Sequence, residues 1–587
     1  MALRFRGLAP KKFIAATMAS EASSPVWKKR SVVSSFLFDL GSCPGEAEGT
    51  TTRKTRVALF QRSSQVSTYQ HHLAPISGTI EETDPSPLQA ALREIKEETT
   101  LASPAIELMR RGKPYTFRDD EIHREWTVHP FAFRLRSPED AGLITIDWEH
   151  EAWDWYDPDT AVQEPDAGGS LGSALGGVVK GVPRLADSLR RVWFDTDLGN
   201  KAGGILARGL DKLATDQESG ARDLASKAVE TLRDVIQALD YTISSPKDIV
   251  DESEWWWIRV RMAAWHLVKN GRESMGAAIL SAIIATLAEI EPMFHNEANQ
   301  GLEHLRIAGV ACVKRCLNTR HLNGTGHIDL AFREYLNTNF SHKRGPGKNL
   351  TVLTLSSSST IRDGLLSAHL DGNPSRYNLD IRVLESRPLF EGVSMAGTLA
   401  ELLAHSPHAD DTPPKITIFS DASAALAAEG VDLVLIGADR IAASGAVSNK
   451  TGTLPAVLSA RFVTNGSAKV VVVSDTDKIA MPGETKDHVV EDNDPAQLSH
   501  AWKDERNSAR VQEAAAELEE VRAAVGGGGG GDGKNRPEVV IRNVFFEWCP
   551  PQLIDTYITE KGEMGVDGIR GISDKISRDE DKYFRDL

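Results

Sequence analysis

The stretch Gly437–Thr453, GADRIAASGAVSNKTGT, decides the fold of the second half of the chain. A run of apolar residues, Asp432–Ile436, leads directly into it and predicts a buried strand. A loop of small residues follows, with Asp439 near its start and Asn449 and Lys450 near its end, and a helical pattern then begins. A buried strand, a Gly-containing loop and a helix entrance in this order predict a phosphate-binding crevice in an open α/β sheet.

Short apolar runs alternate with helical patterns toward the end of the chain. The runs are Leu350–Leu355, Ile381–Leu384, Ile416–Phe419, Leu433–Ile436, Val470–Val473 and Val539–Phe546. This alternation predicts a doubly wound, Rossmann-like parallel sheet, in which ligands bind at the carboxyl ends of the strands. Those ends carry Ser356, Ser357, Ser358, Arg387 and Asp439. Because no G-x-G-x-x-G follows the first run, these residues favour a sugar-phosphate or nucleotide pocket over a dinucleotide site.

A second chemical pattern lies near the start of the chain, in Gly78–Leu101 (GTIEETDPSPLQAALREIKEETTL). Pro87 opens a helical pattern, and Glu94, Glu97 and Glu98 fall at i, i+3 and i+4 on one face of it. Carboxylates this close repel one another unless a cation or solvent screens them, and their oxygens suit Mg²⁺ or Mn²⁺. The pattern by itself is more typical of a solvated helix face than of a metal site.

The composition and charge of the chain argue against several classes of protein. The 587 residues carry a formal net charge of -16, which argues against direct nucleic-acid binding. We identify no apolar run that approaches the ~20 residues of a membrane-spanning helix. Four cysteines in so long a chain favour a reducing compartment, and we expect a cytoplasmic protein. The basic start of the chain also fits a mitochondrial transit segment, but we interpret residues 1–29 as a disordered tail.

The chain is predicted to be an α/β multidomain protein. We expect a first domain at 30–165, a Gly/Ser-rich linker at 166–199, a helical bundle at 200–345 and the sheet domain at 346–587, with a Gly-rich loop at 525–535. In the bundle, Trp255–Trp257 favour core or dimer packing over a stacking platform. Arg272 precedes a helix, where it either reaches a phosphate in the crevice or lies exposed on the surface.

Residues Arg93–Leu101 resemble the second half of the Nudix box, Arg-Glu-apolar-x-Glu-Glu-x-Gly-apolar, which a Gly and a Glu precede. Gly78 matches the first Gly, Asp84 stands in the acid position with one additional residue before the arginine, and Thr100 stands where the family has Gly. The resemblance implies an α/β/α sandwich that cleaves diphosphate linkages attached to a nucleoside or another group. It also implies that Glu94, Glu97 and Glu98 are catalytic and hold Mg²⁺ or Mn²⁺.

Three motifs later in the chain resemble one superfamily: GADRIAASGAVSNKTGT, ESRPLFEG (Glu385–Gly392) and NVFFEWCPPQLIDTYITEKG (Asn543–Gly562). The superfamily holds the alpha, beta and delta subunits of translation initiation factor 2B, methylthioribose-1-phosphate isomerase and ribose-1,5-bisphosphate isomerase. The resemblance implies a homodimer formed through the C-terminal domain. The isomerases move a proton between C1 and C2 with a cysteine and an aspartate. Asp439 matches the aspartate, but Ser356 occupies the cysteine position, and its hydroxyl is a far weaker acid than a thiol.

These features support three hypotheses. We favour a fusion of a metal-dependent Nudix-type hydrolase of a nucleoside-diphosphate-like substrate with an initiation-factor-2B-like domain that binds a small phosphorylated ligand. The ligand-binding residues would be Ser356, Ser357, Ser358, Arg272, Arg387, Asn449 and Lys450. The second hypothesis is an aldose–ketose isomerase of ribose 1,5-bisphosphate or methylthioribose 1-phosphate that uses Asp439. The third is a non-catalytic regulatory protein with partners in translation initiation.

Overall fold

The chain folds into two compact units, Met1–Val192 and Trp193–Leu587. The computed structural model describes residues 27–41, 54–103, 105–163, 171–172, 175–216, 219–243, 251–322, 326–345, 347–370, 377–405, 414–488, 491–504, 506–526 and 539–587. The α/β multidomain class is confirmed. Most of the expected tail and the expected Gly-rich loop, residues 1–26 and 527–535, lie outside the described residues.

The first unit is built around a seven-stranded sheet with the order β3-β2-β1-β6-β4, in which β5 pairs with β6 and β7 with β2. Its elements are β1 (Lys28–Asp39), β2 (Arg56–Arg62), β3 (Leu73–Ala74), α1 (Pro87–Thr99), β4 (Ile106–Arg111), β5 (Tyr115–Asp119), β6 (Arg124–Leu135), β7 (His150–Tyr156), α2 (Pro158–Gln163), β8 (Leu171–Gly172), β9 (Val178–Val179) and α3 (Leu185–Arg190). Strands β1 and β6 run parallel along most of their length. Lys28 pairs with Arg124, so β1 includes two residues before the expected domain start at residue 30.

Helix α1 carries Glu94, Glu97 and Glu98, and the residues at its two ends explain where the helix begins and ends. Ser86 caps the amino end by accepting a hydrogen bond from the Gln89 amide (3.3 Å), and Pro87 fills the first turn, where no amide donor is needed. Ala90, Ala91 and Ile95 of the helix are buried against the sheet. Thr100 ends the helix at φ 64°, the left-handed conformation that Gly adopts most easily. The conformation is therefore kept at the position where the Nudix pattern has Gly.

The segment 166–199 differs from the expected linker. Its described part contains β9, α3 and a further short helix, α4 (Asp195–Leu198). Leu185, Leu189 and Val192 follow one another at helical spacing, and all three side chains are buried. Because these apolar side chains pack on the first unit, the chain from Lys180 to Val192 is part of that unit and not a spacer.

Helices form the first part of the second unit. They are α5 (Asn200–Thr215), α6 (Ala221–Ala238), α7 (Glu252–Lys269), α8 (Gly276–Glu297), α9 (Leu302–Leu322) and α10 (Gly326–Asn339). Trp255, Trp256 and Trp257 are buried in α7, and the rings of Trp256 and Trp257 stack on Phe294 of α8. The core-packing interpretation of these tryptophans is therefore confirmed.

Helix α8 corrects the expectation that no segment is apolar enough to span a membrane. The segment Glu273–Gln300, which contains α8, meets that criterion by length and composition. The leucine and isoleucine side chains of α8 are buried in the core that α6 and α9 also build. Packing on several sides accounts for an apolar surface all around this helix.

A second seven-stranded sheet follows, in the order β12-β11-β10-β13-β16-β18-β19. The elements are β10 (Leu350–Leu355), α11 (Ser359–Leu370), β11 (Leu379–Leu384), α12 (Glu391–Ala404), β12 (Lys415–Phe419), α13 (Ala424–Ala427), β13 (Leu433–Ile436), β14 (Arg440–Ile441), β15 (Val447–Lys450), α14 (Thr453–Val463), β16 (Lys469–Val473), α15 (Ala496–Ser499), α16 (Ala509–Gly526), β17 (Phe546–Cys549), β18 (Thr556–Thr559), β19 (Gly562–Met564) and α17 (Val566–Phe584). Its first six strands are parallel, and β19 is antiparallel to β18. The doubly wound sheet is thus present.

The sixth parallel strand is not the one expected from the sequence. Strand β17 begins only at Phe546 and joins β14 and β15 in a separate antiparallel sheet. The residues before it are held differently, since the Asn543 amide donates to Asp492 (2.8 Å). The sixth parallel position is filled by Thr556–Thr559 instead. Both segments have the β-branched and aromatic residues of strands, so composition does not distinguish them.

Truncation of Trp256 tests the helical core. Trp256→Ala should lower the free energy of unfolding of the second unit by about 3–5 kcal/mol, because it removes a fully buried ring. Urea unfolding followed by far-ultraviolet circular dichroism measures the change. Phe462→Ala in α14 is the control, because that side chain is 86% exposed and its loss should cost less than about 0.5 kcal/mol. Equal losses in both variants would contradict the core assignment.

Candidate functional sites

A cavity of ≈ 980 Å³, called the crevice below, opens at the carboxyl ends of β10 and β13. The residues expected from the sequence that line it are Ser356, Ser357, Ser358, Arg272, Asp439, Asn449 and Lys450. Arg387 is exposed, its guanidinium lies over the Phe390 ring at 5.4 Å, and it is not among the described residues that line the crevice. The fold therefore brings together seven of the eight residues and leaves Arg387 outside.

Ser356 sits at the end of β10 in a constrained backbone conformation. Its φ is 63°, which is unusual for a residue with a side chain. Its amide donates to the Ser386 hydroxyl (2.7 Å), and its own hydroxyl lies 3.5 Å from Glu391 Oε2. Ser358 accepts from the Ile361 amide (3.3 Å) at the start of α11. These contacts fix the serine run at the floor of the crevice, next to a carboxylate.

The GADRI segment reaches the crevice through a hairpin. Strands β14 and β15 are antiparallel, and the Asp439 amide donates to the Ser448 carbonyl (2.9 Å), so Asp439 stands at the hairpin base. The hairpin turns at Gly445, whose φ of 86° and close approach to the Tyr557 hydroxyl leave no room for a side chain. Asn449 donates to the Thr453 hydroxyl (2.9 Å) at the start of α14. Asp439 and Asn449 are thus presented by one rigid element.

The amino end of α14 does not serve as the phosphate site that the loop predicted. The Glu547 carboxylate accepts from the amides of Gly452 (2.6 Å) and Leu454 (3.0 Å), so an anion of the chain itself occupies this helix end. Lys450 points elsewhere: its Nζ lies 3.1 Å from Glu391 Oε1 and 4.7 Å from the Phe546 ring centre. The site that remains for a ligand is the crevice and not the helix end.

Arg272 is buried, so the expectation of an exposed surface arginine is wrong. Its guanidinium contacts Glu491 through Nη2 (2.5 Å) and Nε (3.2 Å), and Nη1 donates to the Asp216 carbonyl (2.7 Å). The guanidinium therefore lines the crevice with its charge already compensated. The sequence places Arg272 just before a helix. Its partner Glu491 lies 219 residues away, so no local pattern could indicate this ion pair.

Three further cations of the crevice, Arg222, Lys227 and Lys478, were missed. Arg222 pairs with Asp475 (2.5 Å), Lys227 pairs with Asp216 (2.5 Å), and Lys478 lines the same wall. Asp475 follows β16, so its position at a strand end was the available signal. The cations Arg222, Lys227, Arg272, Lys450 and Lys478 give the crevice several positive groups for an anionic ligand.

A second cavity, of ≈ 460 Å³, lies in the first unit beside α1. Glu94 and Glu97 line it, together with Glu149, Arg62 and Arg93. Glu98 lies next to them on α1 and is buried, with 3% of its side chain exposed. The carboxylates of Glu94, Glu97, Glu98 and Glu149 are called the acid cluster below. Burial in the first place, and the charges of neighbouring carboxylates after it, raise the pKa of Glu94, Glu98 and Glu149.

Arg93 holds part of the acid cluster in place. Its guanidinium contacts Glu94 (2.8 Å) and Glu97 (3.2 Å), and it binds both carboxylate oxygens of Asp84 (2.8 and 3.1 Å). This charge holds the pKa of Asp84 below its usual value. Asp84, one residue out of place in the Nudix spacing, therefore still reaches the box arginine. Gly78 is needed because a Cβ there would lie 1.9 Å from the Glu94 carboxyl carbon.

Glu98 is held by His150, a residue that the sequence did not single out. His150 Nε2 lies 2.5 Å from Glu98 Oε2, and both side chains are buried. Burial, with the charges of Glu149 and Glu94, raises the pKa of Glu98 well above its ordinary value. Burial and the nearby Arg62 lower the pKa of His150 to about 4. The pair therefore favours uncharged or proton-shared forms, and the second Glu98 oxygen, Oε1, is buried without a hydrogen-bond partner.

The acid cluster fits a divalent cation chemically, but its oxygens now serve other partners. In the described part of the chain, no group of three or more His, Cys, Asp or Glu side chains is arranged to hold a metal ion. Arg93 engages Glu94 and Glu97, and His150 engages one oxygen of Glu98. The buried, unpartnered Oε1 of Glu98 and the raised carboxyl pKa values are features that a bound cation would relieve. The donor set therefore suits Mg²⁺ or Mn²⁺.

Two curated relatives match about a third of the chain. Methylthioribose-1-phosphate isomerase of Stutzerimonas stutzeri (strain A1501) is 30% identical over 196 residues, which are 33% of this chain and 43% of that protein. A probable bifunctional methylthioribose-1-phosphate isomerase/methylthioribulose-1-phosphate dehydratase of Nocardia farcinica (strain IFM 10152) is 34% identical over 184 residues, 31% of this chain and 26% of that protein. The chain thus spans less than half the length of these two relatives.

Among solved structures, the translation initiation factor eIF-2B of Pyrococcus horikoshii OT3 matches with 18% identity and a TM-score of 0.39, over 62% of this chain and 98% of that one. Two family models match separate segments. The NUDIX domain model matches residues 50–172, and the initiation factor 2 subunit family model matches residues 337–565. The chain therefore joins a NUDIX domain to a domain of the initiation factor 2 subunit family.

Proposed function

We propose that the first unit hydrolyses the diphosphate linkage of a nucleoside-diphosphate-like substrate with the help of Mg²⁺ or Mn²⁺. The acid cluster at the wall of a ≈ 460 Å³ cavity is the observation that carries this proposal. Burial, together with repulsion between neighbouring carboxylates, raises the pKa of Glu94, Glu98 and Glu149, so these groups are costly to keep charged unless a cation binds there. The matched NUDIX domain supports the same chemistry.

The residues of the cavity have separate tasks in this proposal. Glu94, Glu97 and Glu98 would hold the cation, which when bound polarises a phosphoryl oxygen and lowers the pKa of a water. Arg62 lines the same cavity and provides a positive charge for the phosphate oxygens. Glu149 has a pKa raised by burial, which suits a carboxylate that accepts a proton from water. Arg93 keeps the acidic side chains oriented before the cation arrives.

Replacement of Glu97 tests the hydrolase. Glu97→Gln removes one charge from the acid cluster and should lower Mg²⁺-dependent phosphate release from a panel of nucleoside diphosphates by roughly 100-fold or more. The matched control is Glu121→Gln, because Glu121 is exposed and does not line the cavity. Equal rates for wild type and Glu97→Gln, or no release by wild type, would refute hydrolysis by this unit.

Replacement of His150 tests how Glu98 is held. His150→Ala leaves the buried Glu98 carboxylate without its hydrogen-bond partner, and it should destabilise the first unit by about 1–3 kcal/mol. It should also weaken Mn²⁺ binding roughly 10- to 100-fold, because the partner of a ligating carboxylate orients it. Thermal unfolding and electron paramagnetic resonance titration with Mn²⁺ measure the two effects. His150→Gln keeps a donor and should recover part of both; unchanged Mn²⁺ affinity in His150→Ala would contradict this role.

The second unit supports a proposal of its own: it binds a small phosphorylated ligand, a sugar phosphate or a nucleotide, in the crevice. Arg222, Arg272 and Lys450 line the crevice, and each is paired with a carboxylate of the chain. An anionic ligand would compete with those carboxylates for the three cations. For this unit we also propose self-association into a homodimer.

Isomerisation of a sugar phosphate is a second candidate for the crevice. Asp439 and Ser356 both line it, which is where the aspartate and the cysteine of the resembling isomerases belong. The match to methylthioribose-1-phosphate isomerase favours the same idea. No cysteine is among the described residues that line the crevice, and buried Cys549 has its pKa raised to about 11. Wild-type turnover should therefore be very low.

Introduction of the missing thiol tests this candidate. Ser356→Cys places an acid of suitable strength in the crevice that Asp439 also lines, and it should raise isomerisation of methylthioribose 1-phosphate about 10²- to 10⁴-fold over wild type. Proton NMR of the sugar follows the conversion. Adding Asp439→Asn should abolish the gain, and Ser357→Cys is the matched control because Ser357 is exposed beside it. A Ser356→Cys variant no faster than wild type would exclude the isomerase candidate.

A further inference from the structure

A second cavity of the second unit, of ≈ 120 Å³, lies behind the hairpin that carries Asp439 and is called the rear cavity below. Arg440 pairs with Ser448 of β15, and Ser448 pairs with Trp548 of β17, so these three side chains project from one face of the three-stranded sheet. Arg440 and Trp548 line the rear cavity, whereas Asn449, the next residue along β15, lines the crevice. The two cavities therefore lie on opposite faces of this sheet, and no described residue lines both.

Arg440 brings a positive charge to the rear cavity without a partner among the described residues. Its side chain is partly buried, and no hydrogen bond, ion pair or ring contact joins it to another residue of the described ranges. Burial lowers the pKa of its guanidinium, and the charge of Glu273 opposes this shift without forming an ion pair. A guanidinium carries five N–H donors, so a partly buried one that lacks an acceptor favours the binding of an anion.

The other titratable groups of the rear cavity leave Arg440 available. Glu484 lines the cavity, but it is exposed and pairs with Lys486 (2.8 Å). His488 lies edge-on to the Trp548 ring, with ring centres 5.8 Å apart and planes 81° from parallel. Burial in the first place, and then the charge of Arg440, lower the pKa of His488, so its imidazole is neutral near pH 7. Among the described residues that line the cavity, Arg440 is therefore the only cation at neutral pH.

The remaining side chains of the wall are apolar, apart from the Thr485 hydroxyl. Ala442 and Ala480 are buried, and Met481 follows Ala480 along the wall. The Ala480 amide donates to the Ile441 carbonyl (2.8 Å), which attaches this wall to strand β14 of the hairpin. The rear cavity therefore combines one guanidinium with small apolar surfaces.

We propose that the rear cavity binds a small monocarboxylate, with its carboxylate on Arg440 and its apolar part against Met481 and Trp548. The planar fork of a guanidinium matches a carboxylate with two parallel hydrogen bonds. A single negative charge suits a single cation that has an acidic neighbour, and Glu273 would repel a phosphate dianion more strongly. The volume exceeds the ~10–15 Å³ that one water requires and is smaller than the ~300–1,000 Å³ of ordinary ligand sites, so a molecule of a few heavy atoms fits. This site is independent of the ligand proposed for the crevice.

Fluorine-19 NMR of the full chain labelled with 5-fluorotryptophan tests the site, and the signal lost in Trp548→Phe assigns the Trp548 resonance. Sodium propanoate and sodium phosphate each replace sodium chloride at constant ionic strength. Propanoate should shift the Trp548 resonance saturably, and phosphate should shift it only at much higher concentration. Arg440→Met removes the guanidinium and should weaken propanoate binding roughly 10- to 100-fold, the loss expected for hydrogen bonds to a charged group.

Two further variants control for charge and for folding. Arg510→Met removes the same charge from an exposed position of α16 that does not line the cavity, and it should bind propanoate like wild type. Arg440→Lys keeps the charge but loses the fork, so it should lose part of the affinity, and it repeats the test if circular dichroism shows that Arg440→Met does not fold. Wild-type affinity in the folded Arg440 variants, no shift of the Trp548 resonance with propanoate, or equal affinity for phosphate would overturn the site.

Discussion

Electrostatic repulsion within the acid cluster is the constraint on which the first unit depends. Glu94, Glu97 and Glu98 project from adjacent turns of one helix, and Glu149 approaches from the loop before β7. The fold opposes this repulsion with two guanidinium groups and one hydrogen bond: Arg93 contacts the first two carboxylates, the charge of Arg62 acts on Glu98 and Glu149, and His150 contacts Glu98. Two positive charges do not balance four carboxylates. In the proposed hydrolase, a bound cation would complete the charge balance.

In the second unit, basic and acidic side chains occur in equal number among the described residues that line the crevice: Arg222, Lys227, Arg272, Lys450 and Lys478, and Asp216, Asp223, Glu391, Asp439 and Asp475. Arg222, Arg272 and Lys450 each have a carboxylate partner on a distant part of the chain. These ion pairs orient the cations and prevent mutual repulsion. A phosphate would compete with these carboxylates for the cations, and each carboxylate that it displaced would lose its own partner. In both units, charged side chains thus line the cavity where a ligand is expected, and other residues of the same unit pair with them.

The local sequence pattern was sufficient to predict most helices and strands, but it did not predict which distant residues their side chains contact. Helical spacing predicted the helix of Glu94, Glu97 and Glu98, and alternation predicted the parallel sheet with Asp439 at a strand end. The partners that decide the chemistry lie far away in sequence: His150 is 52 residues from Glu98, and Glu547 is 95 residues from the Gly452 amide that it caps. Tertiary packing brings such pairs together, and the local periodicity of the sequence does not predict which residues will pair. The strand at Thr556–Thr559 was missed for a related reason, because two neighbouring segments have equal strand character.

The serine at the end of β10 shows how a site can keep its geometry when its chemistry is changed. Ser356 keeps a left-handed backbone, a hydrogen bond from its amide and a carboxylate beside its hydroxyl. Such strain persists only where the surrounding structure determines it, so the position is still built for a side chain that faces the crevice. A hydroxyl in that position donates and accepts hydrogen bonds but does not readily give up a proton near neutral pH. In the proposed crevice site, Ser356 would therefore bind a ligand through hydrogen bonds, whereas proton transfer at this position would need a more acidic group such as a thiol.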